Sequence, residues 1–203
     1  MNDYQILLDN LTVSGILKTE RIISAFQKIK RADFLLEQYQ VDAWRDAPLP
    51  IGYGQTNSQP TTVAFMLELL QPQEGDTVLD IGSGSGWTTA LLAEIVGENG
   101  RVIGLEKVPQ LVKFGQVNLG KYHFTQAEIK YAGEQLGLPG EKFDRILVSA
   151  AAGETPQALI KQLKKPGTMV VPVNDSIFKI SKDRLGEISK LEFYGFSFVP
   201  LVN

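Results

Sequence analysis

Val78-Leu79-Asp80-Ile81-Gly82-Ser83-Gly84-Ser85-Gly86, followed by Trp87 to Val96, decides the fold of this chain. The run from Asp76 to Ile81 has the length and apolar content of a buried strand. Three glycines at alternate positions then permit a tight turn and a close backbone approach to a ligand. Trp87 to Val96 resumes an apolar pattern and reads as a helix. Strand, glycine turn and helix in that order mark where open α/β sheets bind ligands, just beyond the carboxyl ends of the strands.

The alternation continues on both sides of this stretch. Val63 to Leu70 reads as a helix, Arg101 to Glu106 as a second strand, and Pro109 to Gly120 as the next helix. Glu128 to Ala132 is a weaker third strand and Phe143 to Ser149 a fourth, followed by a helix over Pro156 to Leu163 and a fifth strand over Thr168 to Val173. Such alternation predicts parallel βαβ units with helices on both faces of the sheet. Ile177 to Ser181 and Lys190 to Val199, split by the polar turn Asp183 to Glu187, predict a closing antiparallel hairpin. Upstream, Leu7, Leu8 and Leu11, then Ile22, Ile23, Phe26 and Ile29, give two short amphipathic helices separated by Gly15, with Thr19 at the cap position of the second. Between Asp42 and Pro60 the pattern is broken by Pro48, Pro50, Gly52 and Gly54. An ordered loop of that length is more often functional than idle. The division expected is a helical extension and substrate loop over 1–59 and a ligand-binding domain over 60–203, forming one compact unit.

Composition narrows the chemistry. With no cysteine and a single histidine, His123, the chain lacks thiolate zinc sites, cysteine nucleophiles and two-histidine metal sites, so no metal is expected. The net charge of −3 argues against a dedicated nucleic-acid binder. Asn2, Asp3 and Tyr4 make no basic leader, and the uncharged stretch near Phe193 to Val202 is far below the roughly 20 residues a bilayer span needs. A monomeric, cytoplasmic protein without nucleic-acid or membrane partners is the expectation. Its chemistry must come from carboxylates, hydroxyls, backbone groups or a borrowed cofactor.

A dinucleotide fingerprint starting at Gly82 needs glycine at position 87, where Trp87 stands. Glu106, ending the second strand, can accept hydrogen bonds from ribose hydroxyls; nicotinamide enzymes use the same device, so it supports a nucleoside cofactor without choosing one. The observed G-x-G-x-G after an acidic residue resembles motif I of the S-adenosylmethionine (SAM)-dependent methyltransferases. That resemblance implies a cofactor held by Asp80, Gly82, Ser83, Gly84, Ser85, Gly86, Glu106 and Lys107.

A second segment, Pro48-Leu-Pro-Ile-Gly-Tyr-Gly-Gln-Thr-Asn-Ser-Gln-Pro60, resembles the substrate signature of the protein-L-isoaspartate (D-aspartate) O-methyltransferases. Gly15 to Arg21, Arg31 to Phe34, Val148 to Pro156, Gln162 to Gly167, Val171 to Val173 and Phe198 to Leu201 also look like segments of that family, in order along nearly the whole chain. The resemblance implies a doubly wound, Rossmann-like α/β fold: a mostly parallel sheet with a C-terminal antiparallel hairpin and an N-terminal helical extension. It implies methyl transfer from SAM to the free carboxylate of isoaspartyl residues in damaged proteins and peptides. Ser58 would hydrogen-bond that carboxylate; Thr56, Asn57, Gln59 and, from the alanine run, Ala151 would shape its pocket; Gly133 and Glu134 would meet the adenine region. A substrate carboxylate is already ionised at neutral pH, its ordinary pKa being about 4, so no general base is needed.

Several residues carry competing readings. Ser58 reads equally as a cap for the helix starting at Pro60. Asn57 stands where the family usually has isoleucine, Thr61 and Thr62 where larger residues are common, and Gly133-Glu134-Gln135 replaces a G-D-G segment. These departures keep open a different methyl acceptor, or a SAM-binding module without turnover. His123 reads as a surface residue, Trp44 and Trp87 as packing residues, and Lys161, Lys164 and Lys165 as cations offsetting a helix dipole.

Overall fold

The computed structural model describes residues 3–201. Met1, Asn2 and Val202, used in the leader and tail readings, and Asn203 lie outside the described residues. The chain opens with α1 (Asp3–Val13) and α2 (Glu20–Lys28), then two 3-10 segments, Arg31–Phe34 and Glu37–Asp42. A small antiparallel hairpin, β1 (Leu49–Gly52) and β2 (Gln55–Asn57), lies inside the stretch read as a loop. The body follows as α3 (Pro60–Leu70), β3 (Thr77–Ile81), α4 (Trp87–Val96), β4 (Arg101–Glu106), α5 (Pro109–Gly120), β5 (Ala127–Tyr131), β6 (Phe143–Val148), α6 (Gln157–Ile160), β7 (Leu163–Val173), β8 (Ser176–Lys182) and β9 (Ile188–Tyr194).

The seven-stranded sheet runs β5-β4-β3-β6-β7-β8-β9, parallel from β5 to β7 and antiparallel from β7 to β9. This is the α/β fold with an antiparallel end that the sequence predicts. The strand order reverses between β3 and β6, which places a ligand crevice beyond Ile81. Helices flank the sheet unequally. One core packs Leu7, Phe26, Leu67 and Leu91 from α1–α4 against Val78 and Val102. The opposite core, around Leu79, Ile103, Ile146 and Met169, is covered by Leu159 of the four-residue α6 and by Leu136 and Leu138 of the segment after β5. Among the described residues no helix is long and apolar enough to cross a membrane.

Three expected boundaries shift for physical reasons. The helix after Pro156 stops within a turn, and Leu163 already pairs with Phe143; Thr168 then pairs with Arg145, so residues 164–167 bulge out of the ladder around Pro166, which has no N–H to donate. β9 ends at Tyr194 because Gly195, at φ +103, turns the chain away, its N–H and that of Phe196 donating to the Asp175 carbonyl. Thr19 does sit at the N-cap of α2, but its hydroxyl donates to Glu68 Oε2 at 2.7 Å instead of closing the helix end.

Candidate functional site

The glycine turn is fixed from below, from the side and from behind. Asp80 is fully buried under it: Oδ2 accepts hydrogen bonds from the Thr88 and Thr89 hydroxyls, both at 2.7 Å, tying the end of β3 to the first turn of α4. Oδ1 has no hydrogen-bond partner among the described residues, and burial raises the carboxyl to about 6 against the pull of the two threonines. Asp80 therefore braces the turn from beneath and does not line the cleft, unlike the cofactor contact expected of it. Glu106 completes the side support. Its Oε2 accepts from the Gly84 N–H at 2.9 Å, and its Oε1 from the N–H groups of Lys107 and Val108 at 2.7 and 2.8 Å. Behind the turn, Gly86 at φ +90 opens α4 in the left-handed region. A Cβ there would lie 2.9 Å from Ile129 Cδ1 and 3.1 Å from the Gly115 carbonyl, so no larger residue fits. Asn118 Nδ2 donates to the Ser85 carbonyl at 3.1 Å.

Of the sequence-predicted cofactor residues, Gly82, Gly84, Glu106, Lys107, Gly133 and Glu134 come together around one cleft. Ser83, Ser85 and Gly86 are buried behind it. The hairpin closes the other side, with Ile51, Gln55 and Thr56 on the cleft wall. Gln135, which the sequence reading singled out as a departure from the family segment, also lines it, as do Ser149, Val199 and Pro200, which that reading did not name as site residues. Ser149 follows the carboxyl end of β6, the position the open-sheet rule marks, and that signal would have found it.

A second groove, lined by Thr56, Ser58, Gln59, Thr62, Ser149 and Phe198 among others, adjoins the first. Thr56, Ser149, Val199 and Pro200 belong to both. The capping reading of Ser58 does not hold. Asp46 caps α3 instead, Oδ1 accepting from the Thr61 N–H at 2.9 Å and Oδ2 from the Thr61 hydroxyl at 2.6 Å. Gln59 leans the same way, its Nε2 donating to Asp46 Oδ2 at 3.2 Å. Ala151 lines neither cavity. Its N–H donates to the Val199 carbonyl and its carbonyl accepts from the Leu201 N–H, both at 2.8 Å, so it seats the tail segment that forms the shared wall.

Asn57 also departs from expectation. Strand alternation sends its side chain to the face opposite Thr56 and Ser58, and it is 4% exposed inside the protein. There it meets Arg31, a fully buried guanidinium. Arg31 donates to the carbonyls of Ala43, Arg45, Ala47, Asn57 and Ser58 and to Asn57 Oδ1, the last at 2.8 Å. Its charge centre lies 5.4 Å over the Trp87 ring, and burial lowers its pKa to about 10, leaving it charged at neutral pH. Trp87 is a core residue, edge-on to Phe26 at 5.6 Å. Trp44 is 46% exposed and lines neither groove, and His123 is exposed at a positive-φ turn.

Residues 2–203 match the family model for protein-L-isoaspartate(D-aspartate) O-methyltransferase (PCMT). The chain belongs to that family. A protein-L-isoaspartate O-methyltransferase of Methanopyrus kandleri is 40% identical over 202 residues, covering 97% of this chain and 89% of the relative. One from Methanococcoides burtonii is 41% identical over 187 residues, covering 90% and 92%. Among solved structures, one from Plasmodium falciparum, assigned as a protein-L-isoaspartate O-methyltransferase and bound to S-adenosyl-L-homocysteine, superposes with a TM-score of 0.88 at 26% identity. That match covers 100% of this chain and 99% of that one. The family is one of SAM-dependent methyltransferases.

Proposed function

We propose that this chain transfers a methyl group from SAM to the free carboxylate of isoaspartyl residues in damaged proteins and peptides. The observation that carries the reading is the meeting of the two cavities at Thr56 and Ser149, one built for a nucleoside and the other rich in hydroxyls.

The cleft fits the cofactor on its charges. Its lining holds Glu106 and Glu134 against a single cation, Lys107, which suits a ligand carrying a positive sulfonium and opposes a pyrophosphate. Glu106 keeps acceptor capacity for one ribose hydroxyl beyond its three backbone bonds, since a carboxylate offers about four lone-pair sites. Ile81, Leu105 and Ala132 give the cleft an apolar wall for a flat ring. When bound, SAM supplies a methyl group activated by its sulfonium.

In the second groove Thr56, Ser58, Thr62 and Ser149 offer hydroxyl donors, and among the described residues no charged one lines it. Ser58 makes no bond that closes α3 and is available to hold one carboxylate oxygen while the other faces the junction. The substrate's own carboxylate is the nucleophile, so the protein supplies alignment, worth about 7–11 kcal/mol when complete. Attack cancels opposite charges, and a groove that excludes water favours that change. Methoxide leaves the resulting ester far more readily than oxide leaves a carboxylate. The following backbone nitrogen therefore attacks the ester carbonyl, methanol departs, and the succinimide formed is reopened by water, in part as aspartate. The helical extension, residues 1–59, and the body, residues 60–203, act as one unit in this picture.

The direct test is incubation with methyl-labelled SAM and an isoaspartyl peptide beside its aspartyl twin. Base-labile label on the isoaspartyl peptide alone is expected. Label on neither peptide, with another acceptor labelled in a cell extract, would overturn the substrate assignment.

A further inference from the structure

We infer that Asn57 is a positioning residue that couples the substrate hairpin to the cofactor turn, through the chain Arg31–Asn57–Ser85. The inference rests on the functional reading above and adds a property to it: the two ligands do not bind independently.

The geometry is specific. Asn57 ends β2 between Thr56 and Ser58, whose side chains line the grooves, and its own amide points the other way. The amide oxygen accepts from Arg31 Nε at 2.8 Å, and the amide nitrogen donates to Ser85 Oγ at 3.2 Å. Arg31 fixes the hairpin's far side by donating to the Ala47 carbonyl at 2.7 Å and the Ser58 carbonyl at 3.0 Å. Ser85 is in turn fixed at its carbonyl by Asn118. A buried side chain satisfied at both ends transmits displacement, because moving either neighbour breaks a bond that no water replaces. Ile51 lies across the turn as well: a Cβ at Gly84 would sit 3.1 Å from its Cδ1. A ligand that seats the Gly82–Gly86 turn therefore also seats Thr56 and Ser58, and occupation of the second groove acts back on the turn. By linkage the two affinities must change by the same factor.

An apolar residue of similar size at position 57 makes neither bond. Aspartate restores both, since a carboxylate accepts from Arg31 Nε and also from the Ser85 hydroxyl, with the donor direction of the second bond reversed.

The experiment is calorimetric titration of S-adenosyl-L-homocysteine into the protein, with and without saturating isoaspartyl peptide, for wild type, Asn57→Leu, Asn57→Asp, Ser85→Ala and the double variant Asn57→Leu/Ser85→Ala. In wild type the peptide is expected to tighten S-adenosyl-L-homocysteine by about fivefold or more. The ratio should fall to about one in Asn57→Leu and Ser85→Ala, fall no further in the double variant, and recover in Asn57→Asp. Ser85→Ala leaves the Arg31 bond in place, so it carries the test should Asn57→Leu not fold. A ratio of one in wild type, or a wild-type ratio in Ser85→Ala, overturns the coupling while both ligands still bind. Failure of wild type to bind either ligand overturns the functional reading first, and the coupling with it.

Discussion

On the cofactor side of the cleft, the Gly82–Gly86 turn leaves a central strand hydrogen-bonded on both edges and enters a helix buried at every position but Glu94. On the substrate side, β1 and β2 pair only with each other, and two-stranded hairpins are marginal in water. What the first wall receives from regular elements, the second receives from one guanidinium and five carbonyls. The lesson is that the hairpin wall draws most of its polar anchoring from one interior side chain, Arg31, so the two walls should fail differently.

Arg31→Met breaks the comparison most severely. It leaves five carbonyls and an amide oxygen without their donor, the Ala43 and Asn57 acceptors fully buried and the others partly so, and the loss expected is about 3–5 kcal/mol of unfolding free energy. Urea denaturation measures it. Arg31→Lys keeps the charge but has too few donors for the same set, and should recover only part of the loss. Retention of wild-type stability in Arg31→Met would mean that the hairpin has another anchor.

The cofactor wall carries the opposite liability, a buried carboxyl with one oxygen unpaired. The Asp80 pKa of about 6 stands above the ordinary carboxylate value of 3.8. Between those values the native state holds the proton more firmly than the unfolded chain. Its contribution to stability therefore rises as pH falls from about 7 to about 4, by up to about 3 kcal/mol. Asp80→Asn cannot titrate. Relative to wild type, its unfolding midpoint should be highest at pH 7–8 and lose that advantage towards pH 4–5. A pH-independent difference would show that Asp80 titrates in the folded protein as it does in the unfolded chain, with no raised pKa.

The same contrast explains what was legible in the sequence. α4, β4 and α5 lie within the boundaries read from periodicity, because strand, turn and helix preferences are local. The glycine turn declared itself through spacing alone. Arg31 did not, because arginine is rarely buried and its acceptors are backbone carbonyls 12 to 27 residues downstream, which leave no trace in residue type. Asn57 was placed beside the substrate because its neighbours are there; the face it occupies follows only once the hairpin is known. Ser58 and Asp46 exchanged the capping role for a similar reason: a carboxylate reached Thr61 from outside the helix, a contact that no N-terminal signature encodes.

Glu106→Gln sharpens the comparison from the cofactor side. It retains size but puts an amide nitrogen against backbone N–H groups that need an acceptor. With roughly 1.5–3 kcal/mol for a hydrogen bond to a charged group, S-adenosyl-L-homocysteine affinity should fall about 10- to 100-fold by calorimetry. Peptide binding should follow only as far as the two sites are coupled.

Ser58→Ala is the smallest perturbation and the most discriminating, because the two walls assign it opposite outcomes. As a helix cap, the serine would contribute about 1 kcal/mol of stability and little to turnover. Asp46 already occupies the capping position, so Ser58→Ala should unfold within about 0.5 kcal/mol of wild type, as surface substitutions do. Its hydroxyl faces the second groove, so the loss belongs to the reaction. One neutral hydrogen bond made to the aligned carboxylate corresponds to about tenfold in kcat/KM for the isoaspartyl peptide. S-adenosyl-L-homocysteine should bind as before, since Ser58 touches the substrate wall alone. A drop in melting temperature with unchanged kcat/KM would return the serine to a structural role and move the carboxylate's holder to Thr56 or Ser149, the two hydroxyls at the junction of the cavities.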